Sequence, residues 1–341
     1  DALPIFSKYY HPSNSYIYLY GDMDFAEKLE WIDKEYLSAY DAITLDSAVK
    51  EQAAFEKPKE ISFPYPIASS ESLTDNTYLS YNTVVGNVLD KELYLAFEVL
   101  EYALLNAPGA PLKKALINAG IGKDIMGSYD NGIYQPIFSI IAKNANEEQK
   151  EEFLSVIRNV LEDCVKNGIS KKSLLAGINS MEFKFREADF GAYPKGLMYG
   201  LQCLDSWLYD EKEPFMHIEA IETYAFLKEQ TQGRYFEELV QKYLLDNTHV
   251  SVVITKPQKG LNAENEKALE EKFTGLINEN GKVESVENMG KKRLAYEIKK
   301  CKEATYMLFN FEAKPELISE LERVYRITDD IMKFITVRKE K

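Results

Sequence analysis

Metal hydrolysis, thiol chemistry and phosphate binding each need particular side chains at particular spacings. A zinc site borne on a helix sets two imidazoles one turn apart, at i and i+4, so that both face one ion. This sequence has three histidines, His11, His217 and His249, and no two stand at that spacing. They read as core or surface histidines. Cys164, Cys203 and Cys301 form no Cys-x-x-Cys pair, which argues against a zinc ribbon or a redox dithiol, and they read as buried, reduced thiols. The glycines between Gly120 and Gly132 lack both Gly-Lys-Ser/Thr and Gly-x-Gly-x-x-Gly, so a structural turn is expected there rather than a phosphate cradle. Glu187 and Asp189 are paired carboxylates near a helix end, read as solvated. Lys291-Lys292-Arg293, Lys299-Lys300 and Arg338-Lys339 have the charge to neutralise phosphates, or are ordinary solvated edge charges.

The chain has 341 residues, 45% of them hydrophobic, enough for two domains with real cores. No apolar run approaches the roughly 20 residues that span a bilayer, and no secretory signal is visible, so no membrane partner and a cytoplasmic location are expected. The first residue is not Met, which suggests a processed chain or a fragment, and Asp1-Ala2-Leu3-Pro4-Ile5 resembles one reading frame of a common sequencing adapter. The net charge of −14 is uneven. From Lys282 to Lys341 there are 14 basic and 11 acidic residues, while the rest of the chain carries 27 against 44. A mildly basic tail on a strongly acidic body implies different partners for each.

Periodicity supplies the elements that carry these groups. Ser15 to Tyr20 is predicted as a strand, with Tyr16, Tyr18 and Tyr20 on one face. Asp24 is placed to cap a helix reaching about Tyr40, with Phe25, Leu29, Ile32, Tyr36 and Leu37 as its apolar stripe. Pro58, Pro64 and Pro66 mark Lys50 to Asp75 as a linker or extended crossover. Strands are then expected at Tyr78 to Val85 and Gln135 to Lys143, with a glycine-punctuated loop from Gly120 to Gly132. Helices are expected over Lys91 to Leu105, Leu112 to Asn118, Asn146 to Asn167, Ser170 to Arg186, Gly196 to Tyr209, Ile218 to Gln230 and Arg234 to Leu245. Strands that return after long helical excursions imply an α+β domain with helices on one face of a sheet.

The stretch from Thr248 to Ile277 joins two unlike halves. Val250 to Thr255 is a β-branched strand, stopped by Lys256-Pro257. Glu264 to Ile277 follows as a helix with Leu269, Phe273, Leu276 and Ile277 on one side. Beyond it, Leu294, Tyr296 and Ile298 alternate with polar neighbours, and Met307, Phe309 and Phe311 alternate with Tyr306, Leu308 and Asn310. Pro315 starts a helix whose stripe is Leu317, Leu321, Val324 and Tyr325, and a last strand is expected over Ile331 to Val337.

Several motifs carry the front half: Tyr10-His11-Pro12-Ser13-Asn14, Tyr20-Gly21-Asp22, Ala107-Pro108-Gly109-Ala110-Pro111-Leu112, Gly127-Ser128-Tyr129-Asp130-Asn131-Gly132 and Phe185-Arg186-Glu187-Ala188-Asp189-Phe190-Gly191. Through them, residues 6–271 resemble the pitrilysin/insulinase superfamily of zinc metallopeptidases, in its presequence-protease branch. The resemblance implies a clamshell of four related α/β domains enclosing unfolded peptides, of which this chain supplies the end of the first and most of the second. The family's zinc helix, His-x-x-Glu-His, is not in this sequence, so no catalytic residue and no metal ligand carries over and zinc belongs to the parent enzyme only.

The tail's motifs are Glu271-Lys272-Phe273-Thr274-Gly275-Leu276-Ile277, Gly290-Lys291-Lys292-Arg293-Leu294-Ala295-Tyr296, Asn310-Phe311-Glu312-Ala313 and Arg323-Val324-Tyr325-Arg326-Ile327-Thr328-Asp329-Asp330. Residues 271–341 thereby resemble small-subunit ribosomal protein six, a ferredoxin-like β-α-β-β-α-β domain that binds small-subunit ribosomal RNA beside ribosomal protein eighteen. The resemblance makes Lys291, Lys292, Arg293, Arg338 and Lys339 candidate RNA-binding residues.

The expected fold is thus α+β: a pitrilysin/insulinase-type domain with helices on an antiparallel-rich sheet, then a truncated ferredoxin-like domain. The expected parts are the end of a first peptidase-like domain (1–46), a linker (47–76), a second peptidase-like domain (77–262) and a ribosomal-protein-six-like domain lacking its own first strand (263–341). The expected function is a non-catalytic peptidase fragment fused to an RNA-binding domain, with an assembly artefact as the leading explanation of the join. The alternatives are half of a working metallopeptidase that needs its zinc domain in trans, and a ribosomal protein with a natural appendage.

Overall fold

Alternation of apolar and polar residues sets the register of the front sheet. Strand β2 (Thr77–Val84) runs antiparallel to both β4 (Ile137–Ala145) and β5 (Val250–Lys259), and β3 (Asp124–Asp130) runs antiparallel to β4. With β1 (Lys59–Ile67) the strand order is β1-β5-β2-β4-β3. Cross-strand partners share a face, so Leu79 stands opposite Ile254 and Ala142, Tyr81 opposite Val252 and Ile140, and Thr83 opposite Val250 and Phe138. Apart from the half-buried Tyr81, all of these side chains are buried. The computed structural model describes residues 9–339. The sheet lies chiefly in one of two compact units, formed by Asp1–Phe63 with Ser72–Pro257; Pro64–Glu71 with Gln258–Lys341 form the other.

The helices of the first unit differ in whether a side chain satisfies a free N–H group at the start, as it does in three of those described. They are α1 (Phe25–Glu35), α2 (Lys91–Glu101), α3 (Pro111–Asn118), α4 (Lys150–Asn167), α5 (Lys171–Glu187), α6 (Lys195–Trp207), α7 (Ile221–Gln230) and α8 (Tyr235–Val240). Asp24 accepts from the Glu27 N–H at 3.1 Å, Asp90 from Leu93 at 2.9 Å and Ser170 from Ser173 at 3.2 Å. Proline at the first position of α3 forfeits no helical bond. Phe97, Leu100 and Leu104 from α2 and the π turn that continues it join Phe153, Ile157 and Leu161 of α4 and Phe236 and Val240 of α8 in one core. Each such side chain contributes roughly 1.5–3 kcal/mol relative to exposure.

Four expectations about this chain need correction. The proline-rich stretch read as a linker or extended crossover contains a strand of the sheet, β1, with Pro64 and Pro66 inside it. Its place at the end of the strand order explains this, since a proline on an edge strand can turn its missing N–H away from the ladder. The glycine-punctuated stretch read as a loop contains β3. There a Cβ at residue 127 would stand 2.6 Å from Leu105 Cδ1 and 2.8 Å from Glu101 Oε1, so glycine marks the close approach of strand to helix end. Residues 15–20 join no ladder. Instead Tyr16 packs edge-on against Trp207 with ring centroids 4.7 Å apart, and Tyr18 lies over Gly200, where a Cβ would come within 2.9 Å of the ring. Ile331 to Val337 forms no strand either, and Ile335 and Val337 are 85% and 74% exposed.

The second unit holds α9 (Leu261–Asn280), β6 (Gly281–Ile298), β7 (Cys301–Ala313) and α10 (Pro315–Ile327). β6 and β7 make a two-stranded antiparallel sheet. Ile298 pairs with Cys301, leaving Lys299-Lys300 as a two-residue loop with φ of 49° and 64°. Two successive positive φ values are the type I′ hairpin turn, which twists with the strands. Phe273 and Ile277 of α9 and Leu317 and Leu321 of α10 are buried together, with Phe309, Phe311 and Tyr325 against them, as their spacing predicts. The Phe273 and Tyr325 rings lie 4.7 Å apart. The whole is α+β, with a helix–strand–strand–helix order in the tail that matches a ferredoxin-like domain.

Candidate functional site

The histidines are each held separately. His11 caps a short 3₁₀ turn, its Nδ1 accepting from the Ser13 N–H at 3.1 Å, and its ring meets Tyr40 edge-on. His217 is buried and stacked on Tyr94 at 3.9 Å, and burial pushes its pKa down to about 4. His249 is buried against Phe55, with its pKa lowered first by burial and then by Lys59. Among the described residues no three His, Cys, Asp or Glu side chains are grouped to hold a metal ion. The donor set of these residues does not fit a zinc ion. Cys164 and Cys203 are buried, and burial raises the Cys164 thiol to about 11. Cys301, read from sequence as buried, is exposed at the start of β7. Glu187 and Asp189 are both exposed, and Asp189 accepts from the Gly191 N–H at 3.2 Å.

Sequence reasoning passed over a set of acidic and phenolic groups between α2, β3 and α6. Tyr94, Glu98 and Glu101 recur on α2 at i, i+4 and i+7, which is the spacing of one helix face. Glu98 accepts from Asn131 Nδ2 at 2.8 Å, and Asp205 of α6 accepts from the Tyr94 hydroxyl at 3.1 Å. Desolvation raises Glu98 to about 7 and Asp205 to about 6, with repulsion from Glu101 and then Asp205 adding to the rise at Glu98, and repulsion from Asp130 to that at Asp205. The Tyr129 hydroxyl is buried without a hydrogen-bond partner among the described residues. A carboxylate one helical turn from a buried tyrosine was the signal available in the sequence. Glu98 and Asp205 are thereby brought closer to neutral pH than ordinary carboxylates, which ties the packing of α2 to pH.

Compared with known families, residues 3–181 match the model of the peptidase M16 inactive domain. The chain belongs to the peptidase M16 inactive-domain family. Residues 251–338 match the model of ribosomal protein S6, so an M16 half is followed by an S6 half. Protein HypA of Clostridium perfringens is 46% identical over 271 residues, which cover 80% of this chain and 28% of that protein. Presequence protease 1 of Arabidopsis thaliana is 30% identical over 258 residues, covering 73% of this chain and 24% of the relative. The chain therefore spans about a quarter of the length of the curated relatives it matches. Among solved structures, a protease from Helicobacter pylori superposes with a TM-score of 0.55 at 14% identity, covering 75% of this chain and 58% of that one, which speaks to fold alone.

In the S6 half, Lys291, Lys292 and Arg293 lie on β6, with Lys291 and Arg293 on one face and Lys292 on the other. Lys291 Nζ is 3.2 Å from Glu303 Oε2, and both side chains are exposed. Lys292 Nζ lies 6.0 Å from the centre of the Tyr306 ring. Arg338 and Lys339 are exposed in the irregular stretch after α10. The tight Lys299-Lys300 turn adds two cations at the hairpin tip, where Lys299 Nζ donates to the Asp329 carbonyl at 3.2 Å. The hairpin thus carries a run of three cations on β6 and two at its tip, with Glu303 against Lys291 and Glu297 against Lys302.

Proposed function

We propose that the M16 half is a non-catalytic piece of a zinc metalloendopeptidase that degrades unfolded oligopeptides. The S6 half is an RNA-binding module for small-subunit ribosomal RNA, with ribosomal protein S18 as its neighbour there. The parent of the front half holds the zinc, and the chain works in the cytoplasm. Among the described residues no helix is long and apolar enough to cross a membrane. The observation that supports the peptidase reading best is the M16 match combined with three histidines each tied up in separate packing. For the RNA reading it is the S6 match together with Lys291, Lys292 and Arg293 on one exposed strand, with Arg338 and Lys339 as further phosphate partners. We also propose that the join is an assembly product, because the S6 match opens inside β5, a strand whose backbone bonds are spent in the front sheet. Amplification across Lys272 from source DNA tests that point, and a clean product of one length overturns it.

Two measurements test the activity. The purified chain is expected to carry no stoichiometric zinc and to leave a quenched fluorescent peptide uncut; chelator-sensitive turnover contradicts this. Its RNA affinity is expected to fall steeply with salt, and replacing Lys291, Lys292 and Arg293 with alanine should flatten the log–log slope by roughly 0.7–0.9 for each phosphate no longer neutralised. Binding that ignores salt removes the phosphate role.

A further inference from the structure

Helix α6 is joined to the first unit differently from its neighbours. Its buried residues are Gly200, Cys203 and Ser206, none of them a large apolar side chain, and no described α6 side chain belongs to the core that holds α2, α4 and α8. Leu197 and Leu201 are 54% and 49% exposed. The tyrosines that precede α1 lie on this helix: Tyr16 against Trp207, Tyr18 against Gly200 and Tyr20 against Gly196. Just beyond the helix, Tyr209 stacks on Tyr134 at 4.6 Å and packs against the core. The loop that enters the helix has positive φ at Ala188 and Gly191. The helix and its tyrosines thus form a plank anchored at one end.

The inner face of the plank is held by polar groups. Asp205 accepts from the Tyr94 hydroxyl at 3.1 Å, and Glu98 accepts from Asn131 at 2.8 Å. Glu98 is repelled by Glu101 and Asp205, and Asp205 by Asp130, and none of the charges acting on either carboxyl is positive. The other titratable groups that feel these two carboxyls are phenols and a thiol: Tyr129 of β3, Tyr224 of α7, Tyr209 and Cys203. His217 covers the Tyr94 ring. The Tyr129 hydroxyl, Gln202 Oε1 and His217 Nε2 are buried with no hydrogen-bond partner among the described residues. Buried groups left unpaired favour a state in which water reaches them.

We infer that α6, with the tyrosine segment laid on it, is a flap that protonated Glu98 and Asp205 keep shut and that their ionisation releases. Two carboxylates in a gap without a cation repel each other, and opening hydrates both. Burial raises both carboxyls above their ordinary range, so the shut state holds the protons more tightly than the open one. Its advantage is complete below the ordinary carboxylate range and is lost as pH rises through about 6 and then about 7. The opening is local: it uncovers Cys203 of α6 and leaves Cys164 of α4 in the core. It depends on neither the peptidase nor the RNA reading.

The three thiols of the full-length chain test this. Cys203 and Cys164 are 2% and 5% exposed, while Cys301 is exposed and reads the pH dependence of the reagent itself. Labelling with N-ethylmaleimide is followed at each cysteine by mass spectrometry. Between about pH 5 and about pH 8 the rate at Cys203 relative to Cys301 should rise at least about tenfold, while that at Cys164 stays level. Glu98→Gln combined with Asp205→Asn should abolish the rise. Tyr94→Phe, which removes the hydrogen bond to Asp205, should uncover Cys203 already at the acid end. A flat Cys203 ratio in the unaltered chain overturns the inference. So do Cys164 rising in step with Cys203, which marks unfolding of the whole unit, a rise that survives in the double variant, and a Tyr94→Phe chain that stays shut.

Discussion

Glu98 shows how a single side chain sets the pH response of the front unit. Its folded pKa, about 7, is above that of an ordinary glutamate because burial penalises the ionised form. The folded state therefore holds the proton more tightly than the unfolded chain. The stabilising contribution is complete below the ordinary glutamate pKa and is lost as pH rises through about 7. Asp205, raised to about 6 by burial, loses its contribution in a lower window. Glu98→Gln keeps an oxygen for Asn131 and cannot ionise. It should raise stability on the order of 1–3 kcal/mol at pH 8 and change little at pH 4. Both tryptophans, Trp31 and Trp207, belong to the front unit, so thermal unfolding followed by their fluorescence reads it directly. A larger gain at pH 4 than at pH 8 contradicts the assignment.

At the scale of elements, the β6–β7 turn puts two lysines at positive φ, where a Cβ is crowded by the following carbonyl. Lys299→Asn with Lys300→Gly supplies the residues this turn favours and should stabilise the hairpin by about 1–2 kcal/mol. Circular dichroism should show the gain while tryptophan fluorescence does not; an unchanged or lower tail transition contradicts the turn assignment. The same scale shows what the sequence made legible. Helix starts at Asp24, Asp90 and Ser170, and the stripes of α9 and α10, are local and periodic, so pattern alone locates them. β1 was hidden by prolines that only an edge position tolerates, and β3 by a glycine kept for its approach to Leu105. Ile331 to Val337 has the composition of a strand but no ladder, because pairing depends on a partner that local pattern cannot supply. The polar seam at Glu98 stayed unseen because α2 reads as apolar around it, while Lys291, Lys292 and Arg293 were legible as a charge run.

For the whole molecule, an M16 half and an S6 half meet at a strand that only one of them can use. β5 lies between β1 and β2, so the S6 half stands on a two-stranded sheet and a small core. Each buried backbone group left unpaired costs on the order of 1–3 kcal/mol, against about 5–15 kcal/mol of stability for a domain. The S6 half should therefore open more readily than the M16 half. Amide hydrogen exchange on the full chain tests this most directly. Val252 to Ile254 should exchange as slowly as Ile137 to Ile141, while Leu308 to Phe311 and Phe334 to Val337 exchange at least about a hundredfold faster. If Leu308 to Phe311 and Phe334 to Val337 are as slow as Ile137 to Ile141, the tail has a full set of partners, and the account of a strand held by the front sheet alone is wrong.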